Sequence, residues 1–260
     1  MIRITALHRA AFLLAVLIAA PAAAAQDKPP APPYAPPMAA GSVGKIANPQ
    51  PDHPAYGDLM DAIDSTVDKN VLIGNGLATI KRQMQSDAGL ASAETTSPGL
   101  LDEILAGMRP ILERQNERVT KLYRPRMAAA MADYITPEEA TSVAAFYRSD
   151  IGRKLMGSVV ANYNMDQTMA NAIAEKDVTE AEVRADINSA VVEGMKNLDS
   201  RDMAEMTRQA MSNPALLKLN RVNPQIQRLR AQMENEALLP EEEALIGALM
   251  ESVFARRFPQ

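Results

Sequence analysis

The sequence predicts an all-α protein, a multi-helix bundle of antiparallel helix hairpins. Three observations point that way. From Tyr56 onward, apolar residues recur at intervals of three and four, the spacing of one helix face. No run of four or more residues shows clear period-two alternation, so no strand is expected. Aromatic residues make up only 4% and Trp is absent, so a core must be built from Leu, Ile, Val, Ala and Met; with few β-branched runs, that set favours helices. At 260 residues and 47% hydrophobic, the chain is long and apolar enough for one or two domains with their own cores.

Residues 1–25 read as a cleavable export signal. Arg3 and Arg9 supply the positive start, Ala10 to Ala20 is an unbroken apolar stretch, and Pro21 breaks it. Ala23, Ala24 and Ala25 place small residues at a cleavage site, with the cut after Ala25. The apolar run falls short of the roughly 20 residues a membrane span needs. No Cys follows it to carry a lipid. The mature chain is therefore expected to be periplasmic or secreted. Residues 26–55 form a Pro-rich linker, with Pro29, Pro30, Pro32, Pro33, Pro36 and Pro37 close together. Such a run lacks amide donors and apolar side chains, so it is expected to be disordered and extended, a spacer for the folded part.

Composition excludes several functions. With no Cys there is no disulfide, thiolate nucleophile or Cys-bound metal. The formal net charge is −5, and losing residues 1–25, which carry two Arg and no acid, takes it to −7. An acidic chain without a dense Lys/Arg block is not a nucleic-acid binder. His8 leaves with the signal and His53 lies in the linker, so no His-dependent triad, general base or metal site is expected in the folded part. No cofactor is implied.

Two folded regions are expected, a helical domain over 56–176 and a C-terminal helical region over 177–260 packed on it. Leu59, Ile63 and Val67 stripe a first helix, and Val71 to Met84 forms a second, frayed or delayed by Gly74-Asn75-Gly76. Gly89 to Ser97 reads as a loop of small and polar residues. Ser97 then caps a helix with Pro98 in its first turn. Leu101, Ile104, Leu105, Met108, Ile111 and Leu112 stripe it, and Val119, Leu122, Tyr123, Met127, Met131 and Tyr134 continue the pattern. Pro110 and Pro125 are expected to kink or split it. Thr136-Pro137-Glu138-Glu139 is a strong start: Thr136 caps, Pro137 takes the first position and Glu139 closes a capping box. Ser149 and Asp150 break this helix and restart another, striped by Ile151, Leu155, Val159, Val160 and Tyr163 and running through Met169 and Ile173. Thr179 to Glu182 is a second capping box, before Val183, Ile187, Val191 and Leu198. Further helices follow Asp199, Asn213-Pro214, Asn223-Pro224 and Pro240.

A weak internal repeat relates Ile135–Leu155 to Leu198–Leu219. Each has a capped acidic start, an amphipathic helix, a Ser-containing break and a Lys-Leu ending. The stretch Tyr134-Ile135-Thr136-Pro137-Glu138-Glu139, then Phe146-Tyr147-Arg148-Ser149, then Gly152-Arg153-Lys154-Leu155 resembles the domain-of-unknown-function family 2059, over about residues 97–176. The resemblance implies a bacterial, exported, all-helical envelope protein and no activity. It departs at Asp150, where the family usually has Pro, so the restart depends on Ser149 or Asp150 as cap.

Within that motif, Arg148, Ser149, Arg153 and Lys154 are the best candidates for chemistry, since a helix N-terminus beside cations suits a phosphate or carboxylate. Packing and capping account for the same residues more simply: Phe146, Tyr147 and Leu155 pack, Ser149 caps, Gly152 permits close approach, and the cations stay in water. Asp58, Asp61, Asp64 and Asp68 read as a solvated face, and Glu138/Glu139 and Glu241/Glu242/Glu243 as helix-start acids favoured by the macrodipole. Met127, Met131, Met165 and Met169 are expected in the core, where flexible Met fills gaps left by missing aromatics. The expectation is a non-enzymatic binder of an envelope protein or apolar ligand. Carboxylate-dependent cleavage of cell-wall material is the alternative, for which a deep cleft with two facing acids would speak. Membrane-surface association through Pro240 to Phe258 is a third expectation.

Overall fold

The computed structural model describes residues 44–166, 168–169 and 176–259. The signal segment 1–25, most of the Pro-rich segment and Ile173 lie outside them. The described residues form ten helices and no strand. They are α1 (Pro54–Asp64), α2 (Lys69–Ser86), α3 (Ala88–Thr96), α4 (Leu100–Ala132), α5 (Pro137–Arg148), α6 (Asp150–Ala161), α7 (Glu180–Lys196), α8 (Ser200–Ser212), α9 (Pro214–Glu234) and α10 (Pro240–Arg257). One continuous core joins them, from Tyr56 in α1 to Val253 in α10.

α4 is the spine. Helices α1, α2, α3, α9 and α10 all pack against it. Its buried stripe carries Leu101, Ile104, Met108, Ile111, Leu112, Val119, Met127 and Met131. Pro110 and Pro125 do not split it; both lie inside one helix of 33 residues. Each removes only one ladder bond, and burial of the whole stripe against five neighbours outweighs that loss. Leu122, expected on the stripe, is 46% exposed. Pro224 likewise lies within α9 and starts no new helix.

The segment read as a loop is helix α3. Asp87 caps it through Leu90 N at 2.9 Å, and Leu90 anchors it in the core. Ser97 ends α3 rather than starting α4. The N-cap of α4 is Gly99, at φ 86°, a left-handed conformation that glycine adopts without a Cβ penalty. Glu94 supplies the missing acceptor, taking Gly99 N and Leu101 N at 2.9 Å each. A side chain one helix upstream thus caps α4, a device that no local start pattern encodes. Val67 follows the end of α1 and packs on the core from outside the helix.

Other helix starts follow the expected chemistry. Thr136–Glu139 and Thr179–Glu182 close reciprocal capping boxes. Asp199 closes another with Asp202. α2 runs unbroken through Gly74-Asn75-Gly76 because Asn75 Nδ2 donates to the Val160 and Tyr163 carbonyls at 3.1 Å. The chain is already docked before α1: Ile46 N donates to Asp133 O at 2.8 Å, and His53 caps α1. These residues lie in the stretch whose composition reads as linker.

The repeated units face one another. α5–Ser149–α6 and α8–Asn213–α9 are both pairs of helices with a one-residue break. Lys154, five residues after the first break, pairs with Asp202 at the N3 position of α8. Lys218, five after the second, pairs with Glu139 at the N3 position of α5. Each unit's second helix thus reaches the start of the other's first, the reciprocity of a pseudo-two-fold contact.

Candidate functional site

The motif of the family resemblance is a folding joint. Thr136, Pro137 and Glu139 start α5. Phe146 and Tyr147 are buried, with ring centroids 5.4 Å apart in an edge-on arrangement, and burial pushes the Tyr147 hydroxyl pKa up. Ser149, not Asp150, caps α6: its Oγ donates to Phe146 O at 2.6 Å and accepts from Gly152 N at 3.1 Å. A Cβ on Gly152 would lie 2.1 Å from Phe146 O, so the sharp α5–α6 corner requires glycine there. Leu155 is buried behind it.

The cations of the motif are neutralised within the fold. Arg148 grips Asp58 with two nitrogens, at 2.6 and 2.8 Å; that hydrogen bonding holds the Asp58 carboxyl below its ordinary range. Arg153 pairs with Asp150 and Lys154 with Asp202. Their side chains are 46–56% exposed, so they stay in water as expected, but each also meets an acid, from α1, α6 or α8. The Asp58–Asp68 row is not a bare solvated face either: Asp58 holds Arg148, Asp61 and Asp64 hold Arg124, and Asp68 caps α2.

A different feature stands out. Between the α1–α2 corner and the middle of α4 lies an open cleft of about 630 Å³, within the size range of ligand sites. Its α4 side carries Glu113, Asn116, Glu117, Thr120 and Lys121. Opposite stand Asp64, Lys69, Asn70 and Ile73, with Arg124 at one end. Only Val67 and Ile73 are aliphatic. Asp64 accepts from Arg124 Nη1 at 3.2 Å, yet desolvation in the partly closed corner raises its pKa above the ordinary value, against the pull of Arg124 and Lys69. Glu117, Lys69 and Lys121 make no ion pair among the described residues. Thr120 Oγ1 is screened from solvent and has no hydrogen-bond partner among them. Pro125 has no N–H, so the Lys121 carbonyl lacks its ladder partner at the same end.

Sequence periodicity did not single out these residues, since each is an ordinary polar position on a helix. The available signal was Pro125 itself, a helix-interior proline beside a run of mixed charges. Periodicity also missed Arg230, which is 1% exposed on the apolar stripe of α9 and donates to the Tyr163 hydroxyl at 3.1 Å. Its position in step with Leu219, Val222 and Ile226 was the signal.

Met127, Met131, Met165 and Met169 are all core. Among the described residues no group of three His, Cys, Asp or Glu could hold a metal, and no helix is long and apolar enough to cross a membrane. The stripe of α10, Ile246, Met250 and Val253, is buried, and Arg256 and Arg257 both grip Glu103. No family model, no curated protein and no solved structure matches this chain. The resemblance to family 2059 therefore rests on the quoted motif residues alone.

Proposed function

We propose that the protein is an exported, non-enzymatic binder that works in the cell envelope, using the α1–α2–α4 cleft to hold a partner segment or small ligand. The observation that carries this reading is a cleft of ligand size lined by Lys69, Lys121 and Glu117, which make no ion pair among the described residues, beside the exposed Asn70 amide. Those groups favour a polar occupant over the apolar ligand expected from composition. Capture from an envelope fraction tests it, comparing the wild type with Lys69→Glu/Lys121→Glu. Loss of the captured material with the variant is the expected result; equal recovery by both would sink the cleft as the binding site. The export part is checked by the mass of the envelope-borne chain, expected to begin near Gln26. A chain still beginning at Met1 would overturn it.

A second reading, carboxylate-dependent cleavage of cell-wall material, draws on one observation: Asp64, with its raised pKa, shares the cleft with Glu113 and Glu117. Glycoside cleavage uses such a pair of acids. Its weakness is Arg124, which binds the Asp64 carboxylate and opposes its protonation. Release of soluble fragments from cell-wall material by the wild type, lost in Asp64→Asn and Glu117→Gln, would favour this reading over simple binding.

A further inference from the structure

We infer that the cleft takes a short zwitterionic oligopeptide in one direction, its ammonium end at Glu113 and Glu117 and its carboxylate end at Lys121 and Lys69. The inference rests on the binding reading above and names the ligand chemistry of that site. It begins with charge order along α4. Glu113 and Glu117 precede Lys121 and Arg124 on the same wall, so the cleft is acidic toward the start of α4 and basic toward its end.

The facing helix reinforces the order. α2 runs antiparallel to α4, because Lys81 far along α2 pairs with Asp102 near the start of α4, whereas the start of α2 lies by Asp64, which Arg124 holds. Lys69 therefore adds its charge to the basic end. Arg124 is committed to Asp61, Asp64 and the Gly57 carbonyl. That leaves Lys69 and Lys121 as the cations available to an incoming anion. At the acidic end Glu113 is loosely engaged by Arg109, at 3.3 Å, and Glu117 is unpaired among the described residues.

Length follows from the helix. From Glu113 to Lys121 the rise is about 12 Å at ~1.5 Å per residue. An extended peptide covers that in about four residues at ~3.3 Å each. Between the charged ends the α2 wall offers the exposed Asn70 amide, which matches both the donors and the acceptors of a peptide backbone. Ile73 is the one apolar patch on the α2 wall, which sets no demand for large side chains.

Calorimetric titration of the full mature chain with tetra-alanine tests the inference, alongside its N-acetylated, C-amidated and doubly blocked forms. The free peptide is expected to bind, with each block weakening it about tenfold, as loss of one charge-assisted contact would. Glu117→Lys should abolish the penalty for acetylation only, and Lys121→Glu the penalty for amidation only. Both positions are exposed, so these variants keep the fold, which thermal melts check. If only the C-terminal carboxylate mattered, the occupant would be the end of a protein chain and not a free oligopeptide, and the inference fails. It also fails if the doubly blocked peptide binds as well as the free one, or if none binds at millimolar concentration. Should the peptides fail while envelope capture still depends on Lys69 and Lys121, only the ligand assignment falls. If capture is also insensitive to them, the binding reading falls with it.

Discussion

Gly152 and Gly157 lie on the same helix, α6, and differ entirely in what they tolerate. A Cβ at Gly152 would meet Phe146 O at 2.1 Å and Tyr147 Cα at 2.9 Å, both backbone atoms of the preceding helix. A Cβ at Gly157 meets nothing within 4 Å. Gly152→Ala is therefore expected to cost about 2–3 kcal/mol through overpacking, while Gly157→Ala adds roughly 0.5–1 kcal/mol through better helix propensity. Urea midpoints of the two variants check this; equal and small effects would mean the α5–α6 corner can relax. The spacing of Phe146, Ser149 and Gly152 made a helix break legible. The need for glycine follows from the close approach of the α5 carbonyl, a matter of backbone path that residue spacing does not express.

Helix starts are the elements most exposed to chemical test. Ser149 both caps α6 and ties back to Phe146 O, so Ser149→Ala is expected to lower stability by about 1–2 kcal/mol, read from the denaturation midpoint. Glu94 carries the start of α4. Backbone N–H groups of Leu101 and Gly99 hold its carboxyl below the ordinary 4.5. The unfolded chain then binds that proton more readily than the folded one, so the stabilisation is complete above about pH 4.5 and is lost as pH falls through the lowered folded value. Asp58, Glu103 and Asp202 shift in the same direction, each beside its cation. Asp64 runs the other way: its raised value favours the folded state at low pH, and that contribution is lost as pH rises through it. Glu94→Gln should flatten the fall in melting temperature below pH 4.5. An unchanged acid limb would show that the α4 start is not held by this carboxylate.

Across the whole molecule, the two helix-break-helix units are latched by Lys154–Asp202 and Lys218–Glu139. The second pair is the better shielded, with side chains 27% and 26% exposed, against 66% and 36% for Arg208–Glu205 within α8. A double-mutant cycle with Lys218→Met and Glu139→Gln is expected to give a coupling of about 0.5–1 kcal/mol, and the same cycle at Arg208 and Glu205 one near zero. Equal couplings would reduce the reciprocity to surface decoration. The repeat was visible in sequence as two similar caps and a Lys-Leu ending. That the two copies exchange their lysines is a property of how they dock, and only the assembled bundle has it.

By itself the sequence determined the class of fold and where most helices begin. Thr136, Thr179 and Asp199 each act on a backbone N–H three residues away, and such bonds form wherever the local chain turns, regardless of the rest. The all-α class follows from apolar spacing for the same reason. The tertiary structure decided what lies beyond that reach. It kept Pro110, Pro125 and Pro224 inside helices, because long buried stripes outweigh a missing ladder bond. It made a helix of 88–96, because Leu90 found a core to enter. It also built the cleft, by bringing Asp64 within 3.2 Å of Arg124, 60 residues along the chain, and setting Lys69 opposite Lys121. Charge order along α4 was written in the sequence; the facing wall that turns that order into a site comes only from packing.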